Sequence, residues 1–500
     1  MASEKTYQVK DDFCVEKVSN YSLDPTVEHA LVRKIDKRLI PFLSLLYLCS
    51  FLDRVNIGNA KLAHIDQDLA LTPGEYNWSL SIFFVGYVIF EVPSNIILKQ
   101  IGPSRWIPIV MLSWAIVMMC MAAVNNASGL LACRFFLGLT EAGLFPGVIF
   151  YLSLWYTRQE QALRIALFFS AATIAGAFGG VLAYGIIQMD GLLKLTGWQW
   201  IFIIEGLPTL VLAAVSYFYL PDFPERASFL NEEERMYVMD RLKHDAGAAS
   251  ETHFSWKQCK DAFIDWKVYF HMIISISATI PLYSLSLFFP TIIGGMGFTN
   301  LTAQLMSAPP YAVACIFTIL ISFNADRKRE RGLHIAALLF VGMIGYMLLI
   351  LLKDQGATAL YISAVITTIG VFANIPIMVS WHTNNIGGHT KRGIASALII
   401  AFSNIGGGLG GQVQVYPSEP NLILYSHISQ IYRVDDAPYY TRGHTICMLC
   451  MGLGCISTLL FKWLLIRENR RREELTPAQY NEECSQVEPA DWHPDFRYIS

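Results

Sequence analysis

The sequence predicts an all-α polytopic membrane protein of 12 transmembrane helices in two six-helix halves, with both termini cytosolic. Three observations carry this. The 500-residue chain is 54% hydrophobic and only 15% charged, against about 25% charged residues in soluble proteins. Its mean hydropathy is +0.40. Its apolar residues collect into two sets of six runs, each close to the roughly twenty residues that a helix needs to cross a bilayer.

Taken in order, residues 1–38 are polar and end in Arg33, Lys34, Lys37 and Arg38, which reads as a cytosolic tail. The first apolar run starts too far into the chain, behind too much charge, for a secretory leader. Six runs follow, at about 39–58, 76–98, 105–124, 129–153, 164–188 and 199–220, making an N-terminal half of 39–220. Residues 221–267 open with Pro221-Asp222-Phe223-Pro224 and continue with Asn231-Glu232-Glu233-Glu234-Arg235. That charged stretch with its helix-start pattern is a cytosolic linker. Six more runs, at about 268–290, 303–323, 333–352, 357–380, 394–412 and 443–466, form a C-terminal half of 268–466, and 467–500 is a cytosolic tail. Six runs, a long loop and six runs is the layout of two repeats, although the halves share little direct identity.

Orientation follows from the basic residues in short loops. The even-to-odd loops carry ten: Lys99, Arg105, Arg158, Arg164, Arg327, Lys328, Arg329, Arg331, Lys391 and Arg392. The odd-to-even loops carry five, Lys61, Lys194, Lys353, Arg433 and Arg442, and the basic run Arg467 to Arg472 reinforces a cytosolic tail. Gly176 with Gly180, and Gly406 with Gly410, form small-residue pairs that let helices approach closely in lipid. The glycine cluster 406–411 follows no strand and precedes no Gly-Lys-Ser/Thr, so a phosphate loop is not expected. The ten cysteines make no disulfide framework, and Cys447 with Cys450 lacks a second ligand pair. No metal, cofactor or nucleic-acid partner is expected, and no nucleophile–base pair suggests an enzyme.

The informative residues are charges inside apolar helices, each costing at least about 2.5 kcal/mol on insertion scales unless paired or facing a wet cavity. The first half holds Asp53, Arg54, Glu91, Arg134, Glu141 and Glu205, whereas the second offers essentially neutral groups such as Asn374, Ser380, Trp381, His382, Thr383 and Asn404. Arg134 and Glu141 are two turns apart and share a helix face, about 10.5 Å apart along the axis. Tyr87 and Glu91 also share a face. Asp53 and Arg54 point about 100° apart and need different partners. Two arginines and two carboxylates around one cavity would couple an anion to protons. The guanidinium forks would hold a substrate carboxylate and the acids would exchange protons. The competing account is that these charges are ion pairs that fix helix packing.

Leu52-Asp53-Arg54-Val55-Asn56-Ile57-Gly58-Asn59-Ala60 resembles the first-helix motif of the anion:cation symporter branch of the major facilitator superfamily. The likeness continues in Phe90-Glu91-Val92-Pro93-Ser94-Asn95, Ile101-Gly102-Pro103-Ser104-Arg105-Trp106 and Arg134-Phe135-Phe136-Leu137-Gly138. It extends through Glu141-Ala142-Gly143-Leu144-Phe145-Pro146-Gly147, Gly197-Trp198-Gln199-Trp200 and Ile204-Glu205-Gly206. Over residues 30–470 the chain is most similar to the fungal allantoate, nicotinate and pantothenate permease group, which the stretch around Asp435-Asp436-Ala437-Pro438 and Arg442-Gly443-His444 also resembles. The resemblance implies proton-coupled transport of a small organic anion by alternating access, in a plasma-membrane monomer. It assigns proton coupling to Asp53 and Glu141, and substrate-carboxylate binding or organisation of the site to Arg54 and Arg134. Tyr87, Ser380, Trp381 and Asn404 match positions lining the family's cavity. Gly102 and Arg105 match its gating loop, here without the usual acidic residue, and Asp326 and Arg327 match the equivalent loop of the second half.

A carboxylate vitamin, a nicotinate-like acid or a ureide is the implied cargo. Export of an acidic metabolite and a non-transporting nutrient receptor are the alternatives. The segment 413–430 departs from the family pattern, and deleting it would leave Gly-Gly-Gln-Ile-Tyr-Arg. It is eighteen residues long, opens with a valine and closes with a glutamine, as a short retained intron would; an external-loop insertion is the alternative. Sequencing the mature transcript should show the segment spliced out, and transcripts that carry it throughout would make it a true loop.

Overall fold

The computed structural model describes residues 25–246, 255–298, 300–411, 436, 439–484 and 490–499. The segment 413–430 lies outside them. The described residues are helical, with no strand among them. The first half comprises α1 (Pro25–Leu62), α2 (Pro73–Ile101), α3 (Pro103–Met121), α4 (Ala127–Glu141, resumed as Leu144–Ser153), α5 (Gln161–Ile187) and α6 (Gly197–Tyr219). The second comprises α7 (Trp266–Gly295), α8 (Asn300–Lys328), α9 (Gly332–Leu351), α10 (Ala357–Asn385), α11 (His389–Gly411) and α12 (Thr441–Glu473). Between α6 and α7 lie two surface helices, Glu232–Ala246 and Trp256–Ile264.

Local chemistry sets several of these boundaries. Thr72 and Glu75 form a capping box at the start of α2, Asn126 accepts from the Gly129 N–H at the start of α4, and Gln199 accepts from the Thr196 N–H at the start of α6 at 2.9 Å. The α-helices run past the apolar spans read from hydropathy, because capped ends and surface ion pairs support helix beyond the bilayer. At the N-terminal end of α1, Lys34 pairs with Glu234 and Asp36 with Arg164.

Helix pairing shows the repeat that the two amino-acid sequences conceal. In the first half α1 packs on α5 and α6, α2 on α4, and α3 on α4 and α6. The second half repeats this with every number raised by six: α7 on α11 and α12, α8 on α10, α9 on α10 and α12. Across the halves, α2 meets α11 and α5 meets α8, the pair of contacts that a two-fold relation would exchange. Large apolar side chains such as Phe178, Val211, Ile316 and Ile456 point outward, as a lipid-facing belt requires.

The tightest helix approaches are not at the two glycine pairs singled out by spacing. A Cβ at Gly138 would overlap the Phe83 carbonyl oxygen, and one at Gly86 the Phe135 carbonyl oxygen, so α2 and α4 touch backbone to backbone. A Cβ at Gly370 would overlap the Gly342 backbone nitrogen, and one at Gly345 the Thr367 backbone nitrogen, so α9 and α10 do the same. Gly176 instead faces the Tyr311 ring with ordinary room, its nearest neighbour 3.8 Å from a Cβ. Gly138→Ala should therefore cost about 3 kcal/mol or more, because rigid backbone and not a flexible side chain stands in the way. Thermal melts in detergent should show this loss, while Gly176→Ala melts near the parent.

Candidate functional site

A narrow cavity lies between the halves, walled by α1, α2, α4, α5, α7, α10 and α11. Its volume of about 60 Å³ holds a few waters and is well below the several hundred Å³ of an open ligand pocket. The lining is mainly aromatic and aliphatic, with Tyr47, Phe51, Phe145, Phe169 and Phe372 around a few polar groups. Among the described residues, Arg54 is the only lining side chain with a permanent charge.

Arg54 is pinned from both halves. Its guanidinium donates to Glu141 Oε1 at 2.7 Å, and the same oxygen accepts from Ser50 Oγ at 2.5 Å. A second guanidinium nitrogen lies 3.3 Å from the Tyr283 hydroxyl on α7. Tyr283 donates onward to Asn404 Oδ1 at 2.8 Å, and the Asn404 amide reaches back to Glu91 Oε2 at 3.4 Å. A polar chain thus leaves the first half at Arg54, crosses α7 and α11, and returns to the first half at Glu91. The Arg54 guanidinium also lies 5.3 Å from the Phe83 ring and 5.2 Å from the Tyr87 ring. Arg54 Nε and Glu141 Oε2 keep unused hydrogen-bonding capacity.

The charges read from the sequence do not all face this cavity. Arg54, Tyr87 and Asn404 line it, and Glu141 touches it through Arg54. Asp53 turns away, as its offset from Arg54 requires, and accepts from Trp114 Nε1 on α3 at 3.0 Å and Thr209 Oγ1 on α6 at 3.1 Å. Arg134 shares a face with Glu141 but does not pair with it. Its Nε donates to the Ser79 carbonyl at 3.0 Å, with the guanidinium over Phe83. The expected ring of two arginines and two carboxylates is therefore split, because α2 lies close enough to α4 to claim Arg134 first. Glu205 binds Asn56 at 2.7 Å inside the first half. Ser380 and Trp381 are buried beside the cavity without lining it: Asn384 reaches the Ser380 hydroxyl at 3.4 Å, and Trp381 donates to the Ile499 carbonyl at 2.7 Å.

The two loop motifs sit at the end of the bundle where α1 begins and α12 ends. Gly102 adopts φ +91°, and a Cβ there would lie 2.6 Å from Asp222 Oδ1, the atom that accepts from the Ser104 N–H at 2.9 Å. Asp222, on the α6–α7 connection, thus supplies the acid that the loop itself lacks. Asp326 accepts from the Leu163 N–H at 2.7 Å and pairs with Arg331, which donates to the Arg158 carbonyl at 3.0 Å. With Thr383 donating to Gln161 at 2.9 Å, these bonds hold the two halves together at that end. Arg105 and Arg327 are exposed.

Sequence reasoning missed Tyr283, because one tyrosine in a long apolar run carries no sign of which way it faces. Glu91 was read only as sharing a helix face with Tyr87, yet it is fully buried and closes the polar chain. No group of three or more His, Cys, Asp or Glu side chains could hold a metal among the described residues.

Residues 43–411 match the description of the Major Facilitator Superfamily. The chain is 40% identical over 441 residues to the MFS transporter prlL of a fungal species (strain NRRL 50135), covering 86% of each chain. It is 34% identical over 483 residues to the MFS-type transporter cnsO of Penicillium expansum, covering 94% of this chain and 90% of that one. Among solved structures, the proton:xylose symporter XylE bound to 6-bromo-6-deoxy-D-glucose superposes with a TM-score of 0.64. That match covers 86% of this chain and 96% of XylE at 15% identity, which is a likeness of fold.

Proposed function

The chain belongs to the Major Facilitator Superfamily, and on that premise we propose that it is a proton-coupled symporter of a small organic anion. It is an integral membrane transporter and not an enzyme. The cargo we assign is a carboxylate such as a vitamin, a nicotinate-like acid or a ureide, taken up by a monomer at the plasma membrane. The motifs around Asp53, Arg134 and Glu141 support placing it in the anion:cation symporter branch, near the allantoate, nicotinate and pantothenate permeases. The excess of basic residues in the even-to-odd loops supports a cytosolic location for the end that carries the termini.

The observation that carries the reading is the Arg54–Glu141 pair at the cavity wall, 2.7 Å apart and almost fully buried. A carboxylate ligand and Glu141 would compete for the same guanidinium. A proton on Glu141 removes its charge and frees the fork for the substrate carboxylate, so proton and anion bind together. When both leave, the unpaired guanidinium would stand in a dry site, and the pair re-forms because the alternative is costly. The link Arg54–Tyr283–Asn404–Glu91 ties that event to the contact between halves, which is where alternating access moves the protein. In this scheme Asp53 exchanges protons at the α1–α3–α6 junction, and Arg134 organises α2 and α4 around the site.

Uptake of a panel of labelled carboxylates into cells, with and without a protonophore, tests the proposal: accumulation that the protonophore abolishes supports it. Efflux from loaded vesicles with no uptake would reverse the direction, and no flux of any anion would remove the carboxylate reading. Glu141→Gln keeps the shape and should lower proton-driven accumulation by about tenfold or more while counterflow exchange persists. Normal accumulation by this variant would exclude Glu141 as the proton carrier. Arg54→Lys should raise the apparent Kd by about tenfold, because an ammonium cannot reproduce the planar fork, and Arg134→Lys should weaken binding less.

A further inference from the structure

The second half keeps its buried charges away from the cavity, and three of them meet a fourth from the tail at the end of the bundle where α7 and α11 begin. Asp265 caps α7, Lys267 follows it, Lys391 opens α11, and Asp491 comes from the segment after α12. Lys267 lies 2.9 Å from both Asp265 and Asp491, and Lys391 lies 2.7 Å from both. All four side chains are at most 1% exposed. Two cations and two anions in a closed square satisfy one another, whereas removing Asp491 would leave an excess buried cation.

The residues after Asp491 are held as specifically. The Arg472 guanidinium, at the end of α12, donates to the carbonyls of Asp491, His493 and Phe496 and to the Tyr498 hydroxyl, at 2.7–3.1 Å. Asn469 makes a reciprocal pair with the Tyr498 backbone, and Asn385 makes another with Ile499. Trp492 lies under the Lys391 ammonium at 4.2 Å. Phe496 crosses to the first half, where the Arg158 guanidinium lies 4.7 Å from its ring. Arg158 also accepts Arg331 and Asn384 at its carbonyl, so Phe496 adds to a contact that already joins the halves.

The position of Ile499 gives this docking a consequence. Met378 and His382 line the cavity from α10, and Asn385 lies on the same helix face one turn nearer the terminus-bearing end. Asn385 and Trp381 both bind the Ile499 backbone, so the segment ends directly beyond the cavity-lining turn. We propose that residues 490–499 are a plug that seals the terminus-side exit of the cavity, locked by the Asp491 square and crossing to the first half through Phe496. Opening at that end must break the Phe496–Arg158 contact, while the bonds of Ile499 to Asn385 and Trp381 keep the segment on the second half. The plug is thus a gate element supplied by the tail in addition to the paired loops at Asp222 and Asp326.

The lock is not a proton switch. Burial would raise the Asp491 carboxyl, but Lys267 and Lys391 outweigh it and hold the group down at about 2. A depressed carboxylate contributes its stabilisation above its free value and loses it only as pH falls towards the bound value. The Asp491 corner of the square therefore keeps its charge through neutral and mildly acidic pH.

Accessibility of a single cysteine tests this without any knowledge of the cargo, so its outcome is separate from that of the symport proposal. Val379→Cys places a thiol in the cavity lining, in a full chain whose native cysteines are replaced by serine. A membrane-impermeant maleimide is applied to inside-out and right-side-out vesicles. With the segment intact, labelling from the terminus side should be slow. Phe496→Ala, Asp491→Ala and deletion of 490–500 should each speed it about tenfold from that side alone. A synthetic peptide of residues 486–500 should restore protection to the deleted chain, and the same peptide with Asp491→Lys should not. Unchanged terminus-side labelling in the deleted chain would overturn the proposal, as would equal acceleration from both sides, which marks general loosening. Phe496→Ala leaves the charged square intact and decides the matter if the Asp491 variants aggregate.

Discussion

A guanidinium that cannot stand alone in a dry interior organises the centre of this molecule. Arg54 needs an anion within reach, and Glu141 provides it from α4 at 2.7 Å. That pairing requires α1 and α4 to present those two side chains to each other. Just past Glu141, α4 passes through Ala142 and Gly143, both still right-handed in backbone, before Leu144 resumes the helix. Gly143 packs so closely on Ser94 of α2 that no side chain fits there. The backbone contact of α2 with α4 through Gly86 and Gly138 then fixes the depth at which Arg134 finds the Ser79 carbonyl and leaves Glu141 to Arg54.

The two halves repeat one helix arrangement and use it for different electrostatics. The first half keeps Asp53, Arg54, Glu91, Arg134, Glu141 and Glu205 in its interior, each against a named partner. The second half meets the cavity with hydroxyls, amides and rings, and collects Asp265, Lys267 and Lys391 at its end, where Asp491 completes them. Charge in the first interior and charge at the second edge are separated along the membrane normal. Tyr283 and Asn404 are the neutral groups through which the second half touches the charged one.

Parts of the site were legible in the sequence for identifiable reasons. The offset between Asp53 and Arg54 follows from helical geometry alone, and the two residues do take partners on different helices. The face shared by Arg134 and Glu141 was equally readable, but their partners were not, since each is claimed by another helix. Tyr283 gave no signal inside an apolar run. The tail residues Trp492, Phe496 and Tyr498, aromatic side chains in an otherwise polar stretch, were a signal that reasoning about membrane spans passed over.

The sequence by itself determined that the chain spans a bilayer many times in two sets of helices, and which charges lie inside them. Hydropathy and helical period are local properties, summed over about twenty neighbouring residues. The tertiary structure alone decided which charge answers which. Arg54 and Glu141 are 87 positions apart and Arg54 and Tyr283 are 229, so their meeting depends on how whole helices turn and how closely their backbones approach. The same holds at the edge of the bundle, where a short polar segment becomes part of the protein's interior because two lysines on other helices need Asp491.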